Sequence, residues 1–356
     1  MILAPLYLGI ILLTVVVIFY IERKLPAIIQ DRLGPMETGP YGMFQAIADL
    51  LKMIQKEDIV PTNSDRILFK LAPFVIMSAV FAAFMVVPLS ENLQASYLET
   101  GVFFILAVVS LDVLGLLMAG WGSGNKYALM GAMRAISQII SYEIPVGLSV
   151  LCVVIATQTL DLQEICIQQK TGVESYFFSI KSEYLQLGNY GGFLNWNIFK
   201  YPTLIIAFVV FYIATLAECN RAPFDLPEAE SELISGFHSE YSGFRFAIFF
   251  LAEYAMMLLV SLMASIFFFG GWNSPIPNIG NLQFNFWTSG GGIPILTDVI
   301  SIFWLLSKSL LIMTTHVWVR WTFPRLRMDQ LMSLCWKYLT PISLVLVLLT
   351  AFIKGY

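Results

Sequence analysis

Long apolar runs alternate with short polar segments along the whole chain, and the length of each run is the first thing to explain. A helix needs about 20 apolar residues to cross the hydrocarbon core of a bilayer. By that measure eight spans are expected, near residues 2–21, 67–89, 101–121, 140–158, 202–218, 246–270, 296–318 and 338–354. The pattern predicts an all-α polytopic membrane protein, a single transmembrane domain over 1–356, because in lipid every backbone polar group must be satisfied within the protein. Pro73, Pro88, Pro145 and Pro202 are expected near span ends or in first turns, where a missing N–H matters least. MILAPLYLGIILLTVVVIFY has no basic residues before its apolar run and is as long as a full span. It is expected to remain as the first transmembrane helix and not to be removed as a signal peptide.

Three stretches depart from this pattern. Within GPYGMFQAIADLLKMIQK the apolar positions 43, 44, 47, 50, 51 and 54 recur at a helical period on one face, which predicts an interfacial amphipathic helix over 41–56. The fourth loop, 159–200, is long and shows little periodicity and no chemistry. The segment 219–245 contains most of RAPFDLPEAESELISGFHSEYSGFRF, which packs five carboxylates between two apolar runs.

Composition narrows the class. The chain is 58% hydrophobic and 12% charged, with a mean hydropathy of +0.76, more apolar surface than a globular domain of this length can bury. A net charge of −4 without a basic stripe or tail excludes a nucleic-acid partner. The cysteines at 152, 166, 219 and 335 have no paired spacing, which argues against zinc or iron–sulfur ligation and leaves no metal site expected. Fifteen of the twenty Lys and Arg fall in or beside the odd-numbered loops. The positive-inside rule therefore places those loops on the cytoplasmic or matrix side and both termini on the periplasmic or intermembrane-space side. No half of the chain echoes the other, which disfavours an alternating-access carrier.

Candidate chemistry lies with acids inside or at the lip of apolar spans, which are expensive there unless paired or hydrated. Glu22, Asp112, Glu143, Glu218 and Glu253 are of this kind. Glu253, in FRFAIFFLAEYAMMLLV, has no cation within a helical turn in sequence, so it requires a partner across the bundle, water or a proton. Glu143 reads as opening the fourth span, where the helix dipole alone favours an acid. In the acidic loop, Asp225 can cap a short helix with Glu228 three residues on. Glu228 and Glu232 then share a face and repel, and with Glu230 they require Arg221, Arg245, water or shared protons in compensation. Arg23, Arg32, Lys52 and Lys56 suit either lipid phosphates or, with Asp49, a polar mouth for an amphiphile. His316 reads as buried and hydrogen-bonded, and lies too far from His238 for a shared haem.

The strings IERK with QDRLGP, GPYGMFQAIADLLKMIQKED, GWGSGNKYALMGAMRAISQIISYEIP, AECNRAPFDLPEAESELISGFHSEYSG with FFLAEY, and RWTFPRLRMDQLMSLCWKYLTP give the chain a resemblance, nearly end to end, to a known family. It resembles the quinone-site membrane subunits of respiratory complex I, the H subunit of NADH-quinone oxidoreductase in bacteria and subunit one of mitochondrial NADH dehydrogenase. The resemblance implies an eight-helix subunit that takes quinone as substrate and binds no cofactor covalently. NADH, flavin and iron–sulfur clusters would belong to partner subunits, both peripheral-arm quinone-site subunits and membrane-arm subunits. It implies quinone-access residues Arg23, Arg32, Asp49 and Lys52. It also implies an acidic proton path through Glu22, Glu143, Glu218, Asp225, Glu228, Glu230, Glu232 and Glu253. Asp112 departs from the family pattern, which is apolar or small there, and the fourth loop is longer than usual. A related subunit of membrane-bound hydrogenases and a purely structural anchor remain as alternatives. The expected location is the bacterial cell inner membrane, with the mitochondrial inner membrane as the alternative.

Overall fold

The computed structural model describes residues 3–171, 191–225, 235–278 and 294–355. Among these residues the structure is helical, without strands. The helices that matter here are α1 (Leu3–Ile29), α2 (Gln45–Gln55), α3 (Arg66–Val86), α4 (Gly101–Gly122, with a turn at Ser110) and α5 (Lys126–Thr157). They are followed by α6 (Pro202–Glu218), α7 (Gly243–Phe268), α8 (Pro294–Thr322) and α9 (Met328–Gly355, with a π-helical stretch at Leu334–Leu339). Seven of the described helices are long and apolar enough to cross a membrane. The 17 residues of α6 make it a shorter apolar helix.

Helix α7 forms the axis of the bundle, packing against α1, α2, α3, α5, α6 and α8. Its sequence is apolar all round, the pattern of a helix enclosed by other helices and not of one with a single wet face. Phe249, Ala252 and the run from Tyr254 to Phe268 are buried. In the outer helices one face stays bare: Leu13 on α1, Leu311 on α8 and Leu348 on α9 are exposed, as lipid-facing side chains are.

Several sequence expectations change. Helix α5 begins at Lys126, not near 140, capped by the Asn125 side chain, which accepts from Tyr127 N at 2.9 Å. Glu143 therefore lies deep in a 32-residue helix, so neither a cap nor the dipole explains it. Pro145 and Pro73 also sit inside helices, α5 and α3, and not at their ends. Helix α1 runs to Ile29, which places Glu22 and Arg23 within it. The fourth loop contains a short helix, Leu162–Ile167. Inside α8, Lys308 donates to the carbonyls of Phe269, Gly271 and Asn273 at 2.8, 2.9 and 2.6 Å, which satisfies all three of its N–H groups. His316 is buried as expected, with its ring against Tyr212, but among the described residues neither ring nitrogen has a hydrogen-bond partner.

Two close approaches set up the region described next. Gly42, at φ +76°, lets the backbone turn hard against Pro35 before α2 begins. On α5, a Cβ at Gly131 would lie 2.7 Å from the Cα of Gly236, so the 3₁₀ turn Gly236–His238 rests directly on the helix backbone. Gly131→Ala is expected to force that turn outward at an overpacking cost of about 1–3 kcal/mol, read as a lower thermal midpoint of the purified protein. Gly147→Ala is the control on the same helix, since a Cβ there meets nothing within 4 Å; it should be neutral or slightly stabilising, and an equal loss in both variants would refute the packing account.

Candidate functional site

A buried ion cluster assembles from five separate parts of the chain. Glu22, on α1, accepts from Tyr254 Oη on α7 and from Arg320 Nη1 in the last turn of α8. Arg221 follows the end of α6, with its guanidinium stacked 4.4 Å from the Tyr254 ring centroid. Its Nη1 lies 3.7 Å from Glu22 Oε1 and its Nη2 lies 3.6 Å from Glu253 Oε2. The other oxygen of Glu253 accepts from His238 Nε2 at 3.0 Å. Glu253 thus finds across the bundle the countercharge that its own helix does not offer within a turn, Arg245 being two turns away and paired with Asp58.

The segment carrying Arg221 is fixed from below. Gln138, fully buried on α5, donates to the carbonyls of Ala217 and Phe224 at 2.8 Å each, and Leu326 N donates to Pro223 O at 3.0 Å. The side chain of Arg221 is 7% exposed, against 12% for Glu22 and 18% for Glu253. Removing one partner of such a pair leaves an uncompensated buried charge and typically costs about 3–5 kcal/mol.

The cluster faces a cavity of about 790 Å³. Polar walls come from Glu22, Arg221, His238, Tyr254, Arg320 and Arg325, and apolar walls from Phe19, Phe246 and Phe250. Asp225 also reaches it and accepts from Arg325 Nη2 at 3.0 Å. A second pocket of about 260 Å³ lies between α1, α2 and α7 and shares Phe19, Arg23, Phe246 and Phe250 with the first. Its remaining lining includes Asp49, Lys52, Leu50 and Met53 from α2. The opposite face of α2 exposes Ile47, Leu51 and Ile54, as suits a helix lying in a membrane interface. The larger space alone falls in the size range of small-molecule sites, and both spaces combine apolar walls with charged groups.

A third cavity, of about 20 Å³, lies deeper. Asp112 on α4, Glu218 at the end of α6 and Glu253 all line it, alongside Ile76, Val80 and Phe249. Glu253 therefore belongs to both the charged cluster and the inner cavity. Burial pushes the neighbouring Cys219 thiol well above its ordinary range, with the Glu218 charge adding to the effect, so this cysteine stays a thiol and not a nucleophile.

The structure brings Arg23, Asp49 and Lys52 together, and Arg23 pairs with Asp49 directly. Arg32 stands apart on an exposed turn, where its Nε donates to Gln30 Oε1 at 2.8 Å. Glu22 and Asp225 line the large cavity, while Glu218 and Glu253 line the small one, and Glu253 meets the large cavity only through its partners Arg221 and His238. Glu143 lines none of these spaces. Arg245 pairs with Asp58 at 3.1 Å. Glu228, Glu230 and Glu232, and the short helix expected to carry them, lie outside the described residues. Sequence reasoning did not single out His238, Tyr254, Arg320 or Arg325 as site residues. The local signal available was a set of polar groups at the ends of apolar spans, with nothing to say which pairs meet.

A sequence model described as NADH dehydrogenase matches residues 2–351. The second H subunit of NADH-quinone oxidoreductase of Cytophaga hutchinsonii is 55% identical over 349 residues, covering 96% of each chain. The H subunit of Chlorobaculum tepidum is 47% identical over 93% of this chain and 86% of its own, and that of Bacteroides thetaiotaomicron is 42% identical over 94% and 85%. Matches of this extent, with the ion cluster and its cavities inside the matched residues, show that the chain belongs to the NADH dehydrogenase family.

Proposed function

We propose that this chain is a membrane subunit of a proton-translocating NADH:quinone oxidoreductase, that it walls the quinone chamber, and that it couples quinone reduction to proton transfer through buried carboxylates. The observation that carries this reading is the double position of Glu253, held by Arg221 and His238 at the charged cavity and lining the inner cavity with Asp112 and Glu218. A quinone has an apolar tail and a polar ring, and the two pockets, which share Phe19, Arg23, Phe246 and Phe250, offer both apolar walls and cations.

Reduction of a quinone to a quinol consumes two electrons and two protons. On this reading the electrons come from centres in peripheral-arm subunits, and this chain supplies position and charge. A ring gaining negative charge in the large cavity attracts Arg221, Arg320 and Arg325. Each step of Arg221 towards the ring withdraws the countercharge from Glu253 and Glu22, and those carboxylates then take up protons. Glu253 passes its proton inward to Glu218 and, beyond it, Glu143. The acids Glu228, Glu230 and Glu232, which follow Asp225 in the sequence, belong to the same path on this reading. The 17 residues of α6 make the eighth crossing, at the lower limit of span length. The Lys and Arg bias places the cavity on the cytoplasmic side of a bacterial inner membrane, with both termini opposite.

Glu253→Gln and Glu232→Gln should give an assembled complex that still accepts electrons from NADH but reduces quinone, or pumps protons, several-fold more slowly. Full coupled turnover in both variants would overturn the reading, and loss of assembly before any loss of activity would favour a purely structural anchor. Breaking the Arg23–Asp49 pair with Asp49→Asn is expected to raise the apparent KM for a short-chain quinone more than it lowers kcat, because that pair lines the approach and not the charged cluster. A pure kcat defect would place Asp49 in the chemistry instead.

A further inference from the structure

Asp112 is outside the site residues that the resemblance implies and outside the charged cluster, yet it sits inside α4 at the wall of the inner cavity. The residue is only half-buried overall. Its Oδ1, however, is sealed from the surface and has no hydrogen-bond partner among the described residues. An unpaired carboxylate oxygen in that position costs several kcal/mol unless it is protonated or reached by water. The cavity it lines, about 20 Å³, has room for one water molecule.

The groups facing Asp112 can be taken element by element. From α3 come Ile76 and Val80, neither of which titrates. From the end of α6 come Glu218, Cys219 and Asn220, from α7 comes Glu253, and from the 3₁₀ turn comes Phe237, with His238 next to it on the far side of Glu253. Asp112, Glu218 and Glu253 thus share the wall of one small space, brought there by α4, α6 and α7.

We infer that Asp112 is a relay residue of this chain: through one water in the inner cavity it receives a proton from Glu253 and passes it to Glu218. In the first transfer the O–H bond of protonated Glu253 breaks as its proton joins the water, while that water gives one of its own protons to Asp112. One O–H bond is lost at Glu253, one is gained at Asp112, and the water is regenerated. The second transfer, from Asp112 to Glu218, has the same balance. The inference rests on the proton-coupling role proposed for Glu253, and it adds a carboxylate that the resemblance does not supply.

The test uses the assembled complex in native membranes, with Asp112→Asn, Asp112→Glu and Glu253→Gln compared at equal amounts of complex. The readouts are quinone reduction by NADH, protons pumped per quinone reduced, and the solvent deuterium isotope effect on turnover. D112N should lower pumping several-fold and enlarge the isotope effect, and D112E should restore both, since only a titrating group satisfies the relay. A merely structural aspartate would leave the isotope effect unchanged. Wild-type behaviour of D112N beside an impaired E253Q overturns the role of Asp112 alone, and wild-type behaviour of both overturns the reading beneath it. Equal loss in D112N and D112E also overturns the inference. Should D112N fail to assemble, D112S is the neutral replacement; assembly of D112E but of neither neutral variant would make the carboxylate a structural requirement and overturn the relay.

Discussion

A carboxylate can be kept inside an apolar bundle only beside a countercharge, a proton or water, and Glu253 imposes that condition on the most enclosed helix of this protein. Helix α7 offers it nothing within a turn. The solution comes from the two ends of the one segment that precedes it: Arg221 just after α6 and His238 from the turn before α7. Arg221 in turn needs a site that holds it, and Gln138 fixes its backbone from α5 while the Tyr254 ring fixes its guanidinium. Glu22 and Arg320 complete the neutralisation from α1 and α8. Much of the arrangement around the axis can be read as the consequence of one ionisable group at its centre.

Such a cluster is not needed for stability alone. Apolar residues of the same volume would pack there without desolvation, and exchanging buried ion pairs for them is often neutral or stabilising. A balanced set of charges does something a hydrocarbon core cannot: its protons redistribute when a neighbouring charge appears or leaves. The three arginines that line the large cavity beside Arg221 each hold a carboxylate: Arg23 holds Asp49, Arg320 holds Glu22 and Arg325 holds Asp225. An incoming negative charge therefore competes with existing partners and does not simply fill free cations.

The sequence was most legible where one number decides, namely span length. The apolar runs, the amphipathic α2 and the need of Glu253 for a distant partner all follow from hydropathy and helical period. It was least legible where pairing is non-local. Glu22 and Arg320 are separated by 298 positions, and no periodicity relates them. Span edges were also blurred wherever a helix continues past its apolar run, as α5 does through Lys126 and Arg134. That blur placed Glu143 in a first turn when it lies in mid-helix. Asp112 stood out as an anomaly in its apolar run, but its companions Glu218 and Glu253 could be recognised only once three helices were packed together.

The same separation bears on how the protein is made. A chain inserted from its N-terminus brings Glu22 into the membrane at the end of the first helix, long before the residues that hold it there have been synthesised. Arg221 and Tyr254 arrive after five further helices, and Arg320 only near the end of the chain. Throughout that interval the Glu22 carboxylate must stay at the interface, stay protonated or borrow a cation. The charged cavity is thus a product of late assembly, closed when the penultimate helix docks against the first, and a chain stopped before Arg320 would carry its helices without the site they are arranged to form.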